Sequence, residues 1–281
     1  MGKRLNEAEI DRFRRDGVVF PVRVFSDAEI AAMRAALEAI EASRAGRIPP
    51  AQNAKIHLLV PWLWEVVHHP AIVDAVEDVL GPDLLCWGTS FIIKNGPSER
   101  HVTWHQDQTH WSLTAPKAVT AWLAFTASGP HNGGVRMIPG SNRTILEHRD
   151  SRDALNMLGR REEVIAEVDE AEAVDVVLAP GEMSMHDPLI VHGSPANRSP
   201  DRRIGFAIRY IPGDVAQAGG LRNFATLVRG RDHGHFELER APKAAFDEEA
   251  TAHHAASVRR GMAVIFGKGE TTAPAGDGGP V

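Results

Sequence analysis

The chain has 281 residues, 43% apolar and 24% charged, the balance of an ordinary globular protein with enough length to bury a substantial core. A formal charge of −6 and a pI near 6.2 leave no basic excess for a nucleic-acid partner, and no apolar run is long enough to span a membrane. Cys86 is the only cysteine, so no internal disulfide can form. With an opening segment that lacks the apolar core of a signal peptide, this points to a cytoplasmic setting.

In chain order, Asn6-Glu7-Ala8-Glu9 has the form of a capping box and opens a short helix with Ile10 and Phe13 inward and Gly17 as its stop. Val18-Val19-Phe20 is a brief strand. Ser26-Asp27-Ala28-Glu29 is a second capping box, after which Ile30, Met33, Leu37 and Ile40 recur at helical spacing. A third helix covers residues 71–80, with Gly81 beyond it. From about residue 84 the period becomes strand-like. The expected strands are 85–94, 118–126, 134–138, 173–178, 182–185, 190–192 and 203–211, separated by Gly, Pro, Asn and Asp turn clusters. A helix is expected at 150–158, another at 247–260, and a frayed tail from 267 to 281. The pattern predicts a mainly β protein with flanking α-helices, in which a barrel or sandwich carries an N-terminal helical layer. With no repeat and no linker, residues 1–281 are expected to form a single domain, its core at about 10–212 and residues 213–281 a C-terminal extension.

The chemistry centres on Trp104-His105-Gln106-Asp107. Residues i and i+2 of an extended segment share a side, so His105 and Asp107 can grip one ion together. The triplet alone is cheap: with fourteen histidines and 37 acidic residues, roughly two His-x-Asp/Glu triplets arise by chance, and three occur here. His148-Arg-Asp150 and His235-Phe-Glu237 lie in polar or charged stretches, whereas His105 and Asp107 lie amid Trp87, Trp104, Trp111 and Trp122. Aromatic walls suit a pocket and equally suit a plain core. His192 ends an apolar run before a Gly-Ser-Pro turn. Two histidines and one carboxylate form the facial triad that leaves positions open on non-haem iron(II). On the run 203–211, Ile204, Phe206 and Ile208 share one face, and Arg203, Gly205, Ala207 and Arg209 share the other. Either the arginines face water, or an inward Arg203 meets the carboxylate of a bound diacid, with Gly205 and Ala207 leaving it room.

Thr89–Lys94, Trp104–Asp107, Asn132–Ser141 and His192–Ser199 followed by Arg203 resemble, in that order, the motifs of the phytanoyl-CoA dioxygenase family. The resemblance spans residues 10 to 212. It implies a double-stranded β-helix (a jelly-roll, cupin-like barrel) and an iron(II)/2-oxoglutarate-dependent dioxygenase that uses O₂ and yields succinate and CO₂. By this similarity His105, Asp107 and His192 would bind iron(II). Arg203, assisted by Ser194, would hold the distal carboxylate of 2-oxoglutarate, with Trp122 and Ser90 as further cosubstrate contacts. Gln106, Lys94 and Arg136 are candidate substrate contacts. A carboxylate at Asp107, where halogenating relatives carry a small residue, argues for hydroxylation, although desaturation, epimerisation and ring formation use the same triad. The expected partner is a small-molecule substrate, with no nucleic acid and no membrane; oligomeric state is not legible. Arg136, Arg143, Arg149 and Arg152 could form a basic surface for a CoA thioester, but a small metabolite is preferred. The competing readings are a non-oxidative metal-binding barrel and a metal-dependent hydrolase or isomerase, neither of which has a use for a diacid-binding arginine.

Overall fold

The helical layer begins where its capping residues place it. Asn6 and Glu9 exchange side-chain and backbone hydrogen bonds at the start of α1 (Glu7–Asp16), and Ser26 and Glu29 do the same for α2 (Asp27–Ala42). Between them runs β1 (Val18–Arg23). The next helices, α3 (Pro50–Asn53), α4 (Pro61–Val67) and α5 (Pro70–Leu80), each open on a proline, where a missing N–H breaks no helical bond. The computed structural model describes residues 2–220 and 222–265, so the tail expected from 267 onward lies outside the described residues.

The rest is largely β. The strands are β2 (Leu84–Lys94), β3 (Val102–His105), β4 (Val119–Ala124), β5 (Arg136–Met137), β6 (His148–Asp150) and β7 (Glu162–Val164). They continue with β8 (Val174–Asp175), β9 (Glu182–His186), β10 (His192–Ser194), β11 (Arg203–Pro212), β12 (Phe224–Arg229) and β13 (Glu237–Leu238), and the described chain closes on α6 (Glu248–Ile265). A seven-stranded sheet runs β1-β9-β4-β11-β2-β12-β13, and a four-stranded sheet runs β3-β10-β5-β8. The two face each other across an apolar layer that includes Val18, Trp122, Val135, Met137, Ile190 and Ala207. This is the double-stranded β-helix that the family resemblance implies.

Strand β11 lies between β4 and β2 and is buried along its whole length. Ile204, Phe206, Ile208 and Tyr210 pack under the helical layer with Leu63, Ile72 and Val76. The opposite face, with Arg203, Ala207 and Arg209, lines the space between the sheets. The arginines therefore do not face water: Arg203 is fully buried and Arg209 is 8% exposed. Alternation could not decide this, because it separates the two faces of a strand without saying that both are covered.

The helix expected at 150–158 is absent. Residues 148–150 and 162–164 pair as the β6–β7 hairpin. Between the strands, the side chains of Asp150, Ser151 and Asp153 accept the backbone N–H groups of Arg152, Asp153 and Leu155. These local bonds compete with the helical ladder and win. The strand expected at 190–192 is shifted by two residues, beginning at His192 and running to Ser194.

Phe206 is fully buried against Phe91 and Phe125. Phe206→Ala is expected to cost about 3–5 kcal/mol in chemical denaturation. Ile145→Ala, at a site 59% exposed, should stay within about 0.5 kcal/mol.

Candidate metal centre

β3 and β10 pair antiparallel with His105 opposite His192, which brings the two rings to a centroid separation of 4.1 Å. The His105 Nδ1–H donates to the Thr103 carbonyl at 2.9 Å and the His192 Nδ1–H to the Ile190 carbonyl at 3.0 Å. A carbonyl can only accept, so each neutral ring keeps its proton on Nδ1 and presents a bare Nε2. Gln106 is extended (φ −121°, ψ 128°), which returns Asp107 to the same side as His105. Asp107 Oδ1 lies 3.7 Å from His105 Nε2, and the Thr120 hydroxyl of β4 donates to Asp107 Oδ2 at 3.3 Å. One ligand atom from each of His105, Asp107 and His192 lies within 4.8 Å of the others. That spacing and donor set could hold one metal ion with positions to spare.

Burial opposes charge throughout this cluster. For Asp107 it is outweighed by the neighbouring imidazoles of His105 and His192 and the Arg209 guanidinium, which hold the carboxyl well below its usual range. His105 is likewise raised despite burial, by the Asp107 carboxylate. Burial, and then the charge of His105, pushes His192 well below its ordinary value. Burial also takes the adjacent His186 down to about 4.

Next to this cluster, Arg203 reaches into the same cavity, with Trp122 and Ser194. One guanidinium N–H reaches the Ile92 carbonyl at 3.4 Å, while Nε and Nη2 are buried with no partner. Burial lowers its pKa to about 10, still charged at neutral pH. Trp122 lies 5.3 Å beneath the guanidinium, and its Nε1–H is also unpartnered. A buried cation with idle donors beside an idle indole N–H is a site built for an anion. Gly205 serves this arrangement differently from expectation. A Cβ there would lie 1.9 Å from Trp122 Cζ2, so its missing side chain makes room for the indole rather than for a ligand.

The expected substrate contacts fare otherwise. The Gln106 amide is fully buried and fully used: it donates to the Thr144 and Leu189 carbonyls and accepts from the Leu146 N–H. It clips the 144–148 segment to the site and has nothing left for a substrate. Arg136 turns outward to Glu170, at 2.8 Å, and Asp175. Lys94 lies behind Ser194, donating to its carbonyl at 3.0 Å, to its Oγ at 2.7 Å and to the Pro195 carbonyl. Burial, and then the charge of Arg203, lowers Lys94 to about 6. Ser194 thus meets Lys94 on one side and lines the cavity shared with Arg203 on the other. Ser90 accepts from Arg209 Nη1 at 3.1 Å, away from Arg203. Sequence reasoning placed Arg209 on the same strand face as Arg203 but gave it no role, and it did not single out His186 or Thr120, which nothing local marks.

The phytanoyl-CoA dioxygenase (PhyH) family pattern matches residues 13–205. The chain belongs to this family. An ectoine dioxygenase of Bordetella parapertussis is 26% identical over 157 residues, 50% of this chain and 51% of that protein. A probable phytanoyl-CoA dioxygenase of Caenorhabditis elegans is 25% identical over 165 residues, 56% of this chain and 53% of that one. The chain thus spans about half the length of the curated relatives it matches. Among solved structures, the non-heme monooxygenase ThoJ, in its apo form, superposes with a TM-score of 0.81 at 36% identity, covering 91% of this chain and 96% of that one. CytC3 with Fe(II) and alpha-ketoglutarate superposes with a TM-score of 0.65 at 25% identity, covering 88% and 97%. Among the described residues of this family member, no helix is long and apolar enough to cross a membrane.

An unpaired buried guanidinium is a liability until an anion meets it. Arg203→Met should therefore leave the ligand-free protein at least as stable as wild type in chemical denaturation. Unfolding at distinctly lower denaturant would show that the guanidinium already has its partners.

Proposed function

We propose that the chain is an iron(II)/2-oxoglutarate-dependent dioxygenase that hydroxylates an unactivated C–H bond of a small-molecule metabolite, with 2-oxoglutarate converted to succinate and CO₂. The observation that carries this reading is Arg203, a buried cation with idle donors in the same cavity as three convergent ligand atoms. A metal-binding barrel, or a hydrolase working through bound water, has no use for it.

The residues fit both groups. His105, Asp107 and His192 would hold iron(II) on one face, and their carbonyl and hydroxyl partners fix the orientation of each ligand before metal arrives. Arg203 would take the distal carboxylate of 2-oxoglutarate, joined by the Ser194 hydroxyl that Lys94 bonds and by Trp122 Nε1–H. When bound, iron(II) with 2-oxoglutarate and O₂ supplies the oxidising power for attack on a C–H bond. Ile92, Val135, Ala207 and Trp122 wall the cavity and exclude water, which keeps the carboxylate–guanidinium attraction strong. Arg209, held by Ser90 and facing Asp107, keeps a second positive charge beside the metal position.

Hydroxylation is favoured by Asp107, which fills the third protein-ligand position and leaves none for a halide. A small metabolite is favoured over a CoA thioester because two of the four arginines considered for its phosphates are already engaged, Arg136 with Glu170 and Arg149 with Glu163.

Anaerobic titration of iron(II)-loaded protein with 2-oxoglutarate tests the centre. A weak visible charge-transfer band should form in the wild type and be lost in His192→Ala. Iron bound without any band would sink the reading. Removing the hydroxyl that steadies Asp107, in Thr120→Val, should weaken divalent-metal affinity about 10–100-fold by calorimetry; unchanged affinity would show that the carboxylate is steered by something else.

A further inference from the structure

A second cavity opens beyond Asp107 and Arg209, holding about 1010 Å³ of empty space, part of it open to solvent. Its inner end is the Asp107–Arg209 edge, shared with the cosubstrate cavity. Trp87 and Trp111 form one wall, their rings 5.3 Å apart. The β6–β7 hairpin forms a second wall, and α6, from the segment expected only as a C-terminal extension, forms a third.

That third wall is anchored. The Ser257 hydroxyl of α6 donates to Glu239 Oε1 at 2.6 Å, and the same carboxylate meets Lys55 at 2.7 Å and the Thr226 hydroxyl at 2.8 Å, all of them buried. Further along the helix, His254 meets the Ala54 carbonyl and Arg260 pairs with Glu237. The helix is tied to the barrel by buried polar bonds rather than by an apolar seam alone.

Two glycines make the room. Gly88 lies within β2 and Gly261 within α6, where glycine weakens a strand or a helix relative to alanine. Neither has the positive φ that would require glycine. A Cβ added at either would meet no atom within 4 Å, so no packing contact requires glycine either. Both line the cavity, and what their missing side chains provide is space inside it.

Of the charged groups lining the cavity, Lys55 is paired with the buried Glu239 behind it, and Arg160 and Arg209 stand with Glu162 and Asp107. A chamber with so little net charge gives an ionic group little advantage, while tryptophan walls favour a flat apolar one.

We propose that this chamber takes an uncharged molecule bearing an aromatic or similarly flat ring, and that Gly88 and Gly261 set the size of ring it admits. The proposal rests on the oxygenase reading in one respect, that the Asp107–Arg209 edge is the reacting end.

Metal-free protein is titrated with the neutral naphthalene fluorophore prodan and the anionic fluorophore anilinonaphthalene sulfonate. Prodan should bind one to one with blue-shifted emission, at least tenfold more tightly than the sulfonate. Gly261→Leu and Gly88→Val should each weaken prodan at least tenfold, with folding checked by circular dichroism. Gly261→Ala, which favours the helix, should raise the melting temperature and still weaken prodan two- to threefold. Tighter binding of the sulfonate, or prodan binding unchanged in the folded glycine variants, would overturn the proposal. If wild-type protein forms the iron–2-oxoglutarate band but does not bind prodan, the ring assignment fails and the oxygenase reading stands. Prodan bound as expected in a protein that never forms the band supports the chamber and overturns the oxygenase reading instead.

Discussion

Strand β11 is buried on both faces, and the two faces do opposite things. Toward the helices, Ile204, Phe206, Ile208 and Tyr210 fill the main core. Toward the second sheet, the same ten residues carry Arg203 and Arg209 into the buried space between the sheets. Burying a guanidinium is costly, and the apolar packing behind the strand is what can sustain that cost. Outside the turn, Arg202 makes a two-pronged ion pair with Glu41 of α2, and Asn197 bonds to the Lys94 and Asp201 carbonyls. These contacts fix where β11 begins, and with it the depth at which Arg203 enters.

The candidate centre is rigid for a related reason. Its histidines sit on paired strands, each locked by a carbonyl two residues earlier, and its carboxylate is braced by a hydroxyl from the opposing sheet. Support from both sheets means that no ligand depends on a single loop. The Arg203 side follows the same logic at one remove: Lys94 bonds Ser194, and Gly205 admits the Trp122 ring that backs Arg203. The chamber proposed for substrate is built from other parts, namely the β6–β7 hairpin, the tryptophan pair and α6. Those elements can vary in sequence without disturbing the metal position, a separation suited to a fold that serves different substrates.

Much of this was legible in the sequence. The two capping boxes, the helical stretches under the barrel, the long strands β2, β4 and β11, and the ordered motif with His105, Asp107, His192, Ser194 and Arg203 all carry local or spaced signals. The rest was decided by neighbours distant in the chain. The helix expected at 150–158 gave way to side-chain turns and a hairpin, since apolar periodicity says nothing about competing Asp and Ser acceptors. Gln106 looked available for substrate because its amide partners, at 144, 146 and 189, are invisible locally.

The chain by itself determined the ligand types, their order and the alternation of β11, since these depend only on residue identity and the two-residue period of a strand. It also determined where helices begin, because a capping box is satisfied within four residues. Only the tertiary structure decided that both faces of β11 are covered, that Arg209 joins Arg203 inside, and that α6 returns to wall the site. Burial is a property of what packs against a residue, and no local pattern records it.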